Sequence, residues 1–391
     1  MSPQLDEFIW QHRLDAPAAI ALSAKKHPEI PVAYAAGQIE CLQKARTKIP
    51  AWYREGIRFF SALSLEQASS EATARFKAGL VKGEKMADLS GGMGVDSFFF
   101  AQQFGQVTHV EPQAELSAVT ARNFEQLGVF NVRCAVATAE EFLQKTTENF
   151  DLLYLDPSRR NEQKNRVLRL EDCSPNILSI KTLLLEKAPL VLLKTAPLLD
   201  IQLAMRQLET VARVWVVASG AECREVLYLL RREAVPVDEV PVEAVQLDKS
   251  GDAQAFTFTF QEEKTAVAPL SLPQQYLYEP HAAILKAGAF RSYAAHFGLK
   301  KLHANTHLYT SAQHEPGVPG RAFQIENLCK YDRKAVRSAV PGGKANVAVR
   351  NFPDSADAVR KKLGLSDGGD TYLFAFTDME DKKMIAVCRK V

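Results

Sequence analysis

Lys85-Met86-Ala87-Asp88-Leu89-Ser90-Gly91-Gly92-Met93-Gly94-Val95-Asp96 is the stretch whose reading decides the fold. Lys85 to Leu89 reads as a short buried strand, with an Asp at its end. Gly91, Gly92 and Gly94 follow, and a helix-like run opens at Asp96. Ahead of the strand, Phe76 to Val81 reads as helix. Glycines at such a turn let the backbone approach a ligand and bend sharply into a helix with unpaired N–H groups. A second strand, Gln106 to Val110, ends in Glu111. An acid at that place accepts both hydroxyls of a ribose, as in dinucleotide-binding folds. The three features together predict a nucleoside-cofactor site.

A pyrophosphate fingerprint has the order G-x-G-x-x-G, with backbone amides aimed at the phosphates. Here the order is G-G-x-G, flanked by Asp88 and Asp96. Two carboxylates beside the loop repel a pyrophosphate and suit a cofactor with a cationic amino-acid end. The segment resembles motif I of class I S-adenosylmethionine-dependent methyltransferases, written D-x-G-x-G-x-G. Ser90 stands at the first glycine position, a departure the family tolerates. The spacing to Glu111 also matches. The resemblance implies S-adenosyl-L-methionine as cofactor, held by Asp88, Ser90, Gly91, Gly92, Gly94, Asp96 and Glu111.

Asn131 to Ala137 reads as a third strand, after a helix from about Gln113 to Gly128. It runs into Thr138 and Ala139. In the methyltransferase family this turn usually carries an Asp that bonds the adenine amino group. Thr138 occupies that place, so the resemblance passes the adenine contact to its hydroxyl or to the backbone. Phe150 to Leu155 is an apolar run that reads as a buried parallel strand. It ends in Asp156-Pro157-Ser158-Arg159-Arg160. Residues at the carboxyl ends of parallel strands face the ligand crevice. Asp-Pro there resembles motif IV of methyltransferases acting on nucleic acids or free amines. Asp156, Pro157 and Arg159 are therefore candidate catalytic residues, and Asp156 also borders the cofactor. Two arginines in succession suit phosphate or carboxylate, or form a solvated basic turn. Enzymes that methylate exocyclic amines of flipped bases usually have an aromatic residue where Arg159 stands. The Asp-Pro-x-Arg pattern is similar to RNA methyltransferases acting on uracil carbon or guanine ring nitrogen. Cys173 is a nearby thiol, either nucleophile or structural, and it lacks the Pro-Cys context of cytosine enzymes.

The chain has 391 residues, more than one core usually organises. Net charge is +2, from 48 basic and 46 acidic residues, so any nucleic-acid contact must come from local patches. The six cysteines are scattered without a C-x-x-C pair, which argues against a zinc knuckle or a disulfide framework, and no metal site is expected. His303 and His307 are four apart, but Asn305-Thr306 between them reads as extended chain rather than a metal-binding helix. The polar, acidic start is unlike a signal peptide, and the longest apolar stretch, Leu183 to Leu199, is broken by charges and prolines. A soluble, cytoplasmic protein without membrane contact is expected; its oligomeric state is not legible.

Residues 1–80 read as a helical region, with the clearest helices at Ala33 to Ala45 and Ser64 to Val81. Ser69 or Ser70 either touches the methionine end of the cofactor or forms a helix N-cap. Residues 81–265 read as the α/β, Rossmann-like core. Its fifth strand is Pro189 to Lys194, with Lys194 facing the substrate or solvent, and its sixth is Val211 to Ser219. A polar break over 220–225 precedes a strand from Val226 to Leu230, and a strand pair follows at 242–247 and 255–260. A Pro/Ala-rich linker covers 265–273, and residues 274–320 form a small linking domain, with a helix reaching about Phe297. Residues 321–391 read as an α+β unit with four strands and a helix from Ser355 to Leu363. From Lys330 to Lys362 nine basic residues face three acidic ones, a balance of +6 with Tyr331 and Phe352 among them, either an RNA patch or a solvated surface.

This order, with Ser69-Ser70-Glu71-Ala72-Thr73-Ala74, Asp156-Pro157-Ser158-Arg159-Arg160, Asn305-Thr306-His307-Leu308-Tyr309, Lys344-Ala345-Asn346-Val347 and Asp367-Gly368-Gly369-Asp370, resembles bacterial class I methyltransferases with a C-terminal THUMP-like domain. The resemblance implies a ferredoxin-like linking domain at 274–320, a THUMP-like domain at 321–391 and, by analogy, methylation of a base in structured RNA, tRNA or rRNA. The rival readings are methylation of a small molecule or protein, with the tail as lid or dimer surface, and a non-catalytic scaffold that only binds the cofactor. An intact Asp-Pro after the fourth strand speaks against the scaffold.

Overall fold

A computed structural model describes residues 3–159 and 169–391; Arg160 lies outside the described residues. The chain divides into two compact units. One comprises Met1–Ala212, Val226–Val235 and Leu247–Asp252; the other comprises Arg213–Glu225, Pro236–Gln246 and Ala253–Val391.

The first unit is built on strands β1 (Gly83–Asp88), β2 (Phe104–Val110), β3 (Val132–Ala135), β4 (Leu152–Leu155) and β5 (Leu190–Thr195). These are followed along the chain by β6 (Val211–Ser219), β7 (Glu222–Arg231), β8 (Val242–Leu247) and β9 (Ala253–Phe258). Within the first unit the sheet orders as β7-β5-β4-β1-β2-β3, with β7 entering through Val226–Arg231; β6, β8 and β9 lie largely in the second unit. From β3 to β5 every neighbouring pair is parallel, while β7 runs antiparallel to β5. Helices cover parallel strands on both faces, which is why β4 reads Leu-Leu-Tyr-Leu and is buried throughout. The order reverses between β1 and β4. Ligands of doubly wound sheets bind outside the carboxyl ends at such a switch point, and Asp88 and Asp156 lie there.

Ahead of β1 lie helices at Pro3–Gln11, Pro17–Ala21, Val32–Lys48, Ala62–Gln67 and Glu71–Gly79. The single helix expected over 64–81 is two helices. Ser70 adopts an extended backbone and its hydroxyl accepts from Thr73 N, so it caps the second helix. The break expected over 220–225 is shorter, because β7 already starts at Glu222. Its ladder with β5 begins only at Val226, so residues 222–225 carry no apolar run. Phe260 begins a short helix, Phe260–Thr265, rather than ending a strand; Thr259 caps it through a reciprocal pair with Glu262.

In the second unit, seven strands form one sheet: β10 (Tyr276–Glu279), β11 (Lys300–His303), β12 (Thr306–Ser311), β13 (Arg321–Lys330), β14 (Asn346–Arg350), β15 (Thr371–Thr377) and β16 (Lys383–Lys390). Their order is β11-β12-β10-β13-β16-β15-β14, so one sheet runs across residue 320. The helix expected to reach Phe297 is two short ones, Ala282–Ala287 and Arg291–His296, with Gly288 between them. The helix Arg333–Ala339 was not foreseen. With Ala356–Leu363 it packs Val336, Val340, Val359 and Leu363 onto Leu373, Ala375, Ile385 and Val387. His303 and His307 lie on strands, with His307 stacked on Phe290 at 3.7 Å between ring centroids. Among the described residues no helix is long and apolar enough to cross a membrane.

Candidate active site

The glycine turn after β1 is held from below. Asp88 is 1% exposed. Its Oδ1 accepts from Ser90 N (3.1 Å) and Ser90 Oγ (3.2 Å), and its Oδ2 from Ser97 Oγ (2.6 Å). Burial pushes this carboxyl up to about 7, against the opposing effect of the Ser97 hydrogen bond, so it titrates near neutral pH. Ser97 Oγ also meets His109 Nδ1 at 3.0 Å, and burial lowers His109 to about 4, leaving a neutral ring. That ring lies under Gly91. A Cβ added at Gly91 would fall 2.3 Å from His109 Cε1, so no side chain fits. Gly92 is the opposite case. It has φ +54, and a Cβ there would meet only Ser90 O at 3.7 Å, so its free side is open to a ligand.

Glu111 follows β2 and is 8% exposed. Its Oε2 accepts from Gly92 N and its Oε1 from Gln113 N, both at 2.9 Å. Each oxygen keeps a further lone pair, so the carboxylate ties down the turn and still has acceptor capacity. Thr138 caps the helix Ala139–Lys145: its Oγ1 accepts from Glu141 N while Glu141 Oε2 accepts from Thr138 N. The hydroxyl expected near an adenine thus also starts a helix, and Ala139 is buried behind it.

Asp96 is more enclosed than the sequence suggested. Its Oδ2 accepts from Ser69 Oγ and Tyr154 OH, each at 2.9 Å, and its Oδ1 lies 3.2 Å from Lys77 Nζ. Lys77 is fully buried and also donates to Ser69 Oγ at 2.9 Å. Burial alone would raise Asp96, but Lys77 and Lys194 outweigh it and hold the carboxyl below its ordinary range. Of the two serines weighed, Ser69 joins this network and Ser70 is the N-cap. Lys77 and Tyr154 were missed. The available signal for Lys77 was its place on the small-residue stripe of Thr73, Ala74 and Ala78, the buried face of its helix.

At the end of β4, Asp156 N donates to Ser90 Oγ at 2.7 Å. The Asp156 carboxylate pairs with Lys194 Nζ, from the end of β5. Asp156 keeps 35% of its side chain exposed and Lys194 keeps 14%. Pro157 is half-buried, and Ser158–Arg159 pairs through its backbone with Cys173–Ser174. Cys173 is 4% exposed, and its Sγ is directed at Arg169 O (3.7 Å).

Residues 276–319 match a ferredoxin-like domain and residues 320–390 a THUMP domain-like family. A crystal structure from Porphyromonas gingivalis W83, assigned as a methyltransferase, is 32% identical over 99% of this chain and 98% of that one, with a TM-score of 0.89. The chain belongs to this family of class I methyltransferases with a THUMP-like C-terminus. Also similar over part of the methyltransferase are an rRNA methylase from Streptococcus thermophilus and a tRNA (uracil-54, C5)-methyltransferase from Pyrococcus abyssi. The first is 13% identical over 41% of this chain and 93% of that one, with a TM-score of 0.31. The second is 16% identical over 45% and 40%, with a TM-score of 0.31. No curated protein matches.

Proposed function

We propose that this methyltransferase uses S-adenosylmethionine to methylate a base in structured RNA, a tRNA or an rRNA. One observation carries the reading: a strand-end acid–glycine site and a stretch matching the THUMP domain-like family occur in one chain. The residues fit the cofactor. Gly92 opens to a ligand, Glu111 has acceptor capacity beside it, and Asp88 adds a carboxyl close to the turn. Such a set of acceptors favours a cationic centre over a pyrophosphate. When bound, S-adenosylmethionine supplies an electrophilic methyl group. Asp88, Ser90, Gly91, Gly92, Gly94 and Glu111 would form its cradle, with Thr138 and Ala139 at the adenine end. Asp96, already countered by Lys77, would act by shaping the loop. Catalysis then rests on positioning, with Asp156 accepting a hydrogen bond or a proton from the target and Pro157 and Arg159 flanking it.

Glu111→Ala is expected to weaken S-adenosylmethionine binding by about 1–3 kcal/mol in calorimetry, the usual cost of losing a charged acceptor. Equal affinity would remove the ribose assignment.

The RNA half of the reading has its own test. Arg333, Lys334 and Arg337 are exposed on the helix Arg333–Ala339, which is anchored by Val336. Phosphate contacts supply affinity without choosing the base. Replacing the three with Gln should weaken RNA binding at low salt and flatten its salt dependence by about one unit of slope per lost contact. Cofactor affinity should stay the same. A small-molecule or protein acceptor predicts neither change in RNA binding.

A further inference from the structure

Two restraints converge on Asp156 from different elements. Its backbone N–H is bound to Ser90 Oγ, and its carboxylate is bound to Lys194 Nζ. Lys194 is largely buried, and its charge is also felt at Asp96. A lysine stem carries several rotatable bonds, and holding its end removes most of that freedom. The Asp156 carboxylate therefore holds an ammonium that would otherwise swing. In turn, the ammonium fixes the Asp156 oxygens at the mouth of the crevice.

We infer that Lys194 is a positioning residue, whose ammonium aims the Asp156 carboxylate at an N–H of the methyl-accepting base. The inference rests on the methyltransferase reading and narrows it. A fixed carboxylate offers only acceptor lone pairs. Facing a ring nitrogen that has a lone pair and no hydrogen, it would set acceptor against acceptor. Facing an N–H, it gains a charge-assisted hydrogen bond. A base carbon makes no such bond, and pyrimidine carbon methylation needs an accessible thiol. Cys173 is buried and turned to Arg169 O. In the step itself the nitrogen forms the bond to the methyl carbon, the carbon–sulfur bonding pair stays on sulfur, and the N–H proton passes to Asp156.

The test is a double-variant cycle on purified full-length protein. The acceptor is extract from a strain lacking the gene, and the donor carries a tritiated methyl group. Lys194→Met should lower turnover on the order of 30-fold or more while KM and S-adenosylhomocysteine affinity change less than about threefold. Lys194→Arg should recover part of the loss. In the Asp156→Asn background, Lys194→Met should add nothing, because the lysine acts through that carboxylate. Label released from digested RNA should run as N-methylated nucleoside. Wild-type turnover in Lys194→Met, a loss that is additive with Asp156→Asn, or a parallel loss of S-adenosylhomocysteine affinity would each overturn the positioning role. Label in a carbon-methylated or ribose-methylated nucleoside would overturn the N–H assignment. Label that survives RNase treatment would instead overturn the RNA reading, and the cycle on total label would still decide Lys194.

Discussion

Asp156→Asn should cut methyl transfer by about 10²- to 10⁴-fold, the range of a lost general base or acceptor, while leaving cofactor affinity within a few-fold. The substitution keeps shape and removes charge. The backbone bond from Asp156 N to Ser90 Oγ survives it, so the loop stays in place. What changes is the acceptor at the crevice and the partner of Lys194. An amide turned to present its NH₂ group to a substrate N–H would set donor against donor. Transfer to extract measures the first effect and calorimetry with S-adenosylhomocysteine measures the second. Transfer at the wild-type rate would make Asp156 a structural residue of the β4 turn.

Lys77→Met should destabilise the fold strongly. Lys77 has no exposed surface, and Asp96 is 12% exposed. Removing one member of such a pair leaves a charge in a low-dielectric site, which costs about 3–5 kcal/mol. Asp96 would retain Ser69 and Tyr154 as donors, and its carboxyl would shift upward toward the neutral form. The loss should appear as a lower midpoint in urea. Lys77→Met/Asp96→Asn should recover part of it, since the uncompensated charge is then gone. A cost under about 1 kcal/mol for the single variant would show that water reaches the pair.

The frame of the site was legible because it depends on local pattern. β4 is a short apolar run, β1 and β2 bury chiefly their carboxyl-terminal residues, and parallel strands present those ends to one crevice. Asp88, Glu111 and Asp156 could therefore be placed in order from spacing alone. The pairings were not legible. Lys77 meets Asp96, Ser90 meets Asp156 and Lys194 meets Asp156, each across a chain separation that no periodicity encodes. Asp96 illustrates the difference. Its position beside the glycines suggested a free carboxylate, whereas a lysine from the preceding helix neutralises it. The helix over 64–81 failed for a local reason. Every residue from Gln67 to Thr73 tolerates helix, and the N-cap that the sequence offered at Ser69 or Ser70 competes with a continuous helix; the bond from Thr73 N to Ser70 Oγ decides that the chain restarts there. In the tail, Arg333–Ala339 was hidden by its short length and single buried valine.

Ser90 has a consequence for how two substrates sense each other. Its hydroxyl donates to Asp88, under the cofactor turn, and accepts from the backbone of Asp156, at the acceptor mouth. An occupant of one side that pulled on this oxygen would change affinity on the other. Thermodynamic linkage makes the factor the same in both directions. A glycine here would delete both side-chain hydrogen bonds and with them the joint between the two loops. Any coupling between a methyl donor above Asp88 and a methyl acceptor at Asp156 would thus have a path one hydroxyl long.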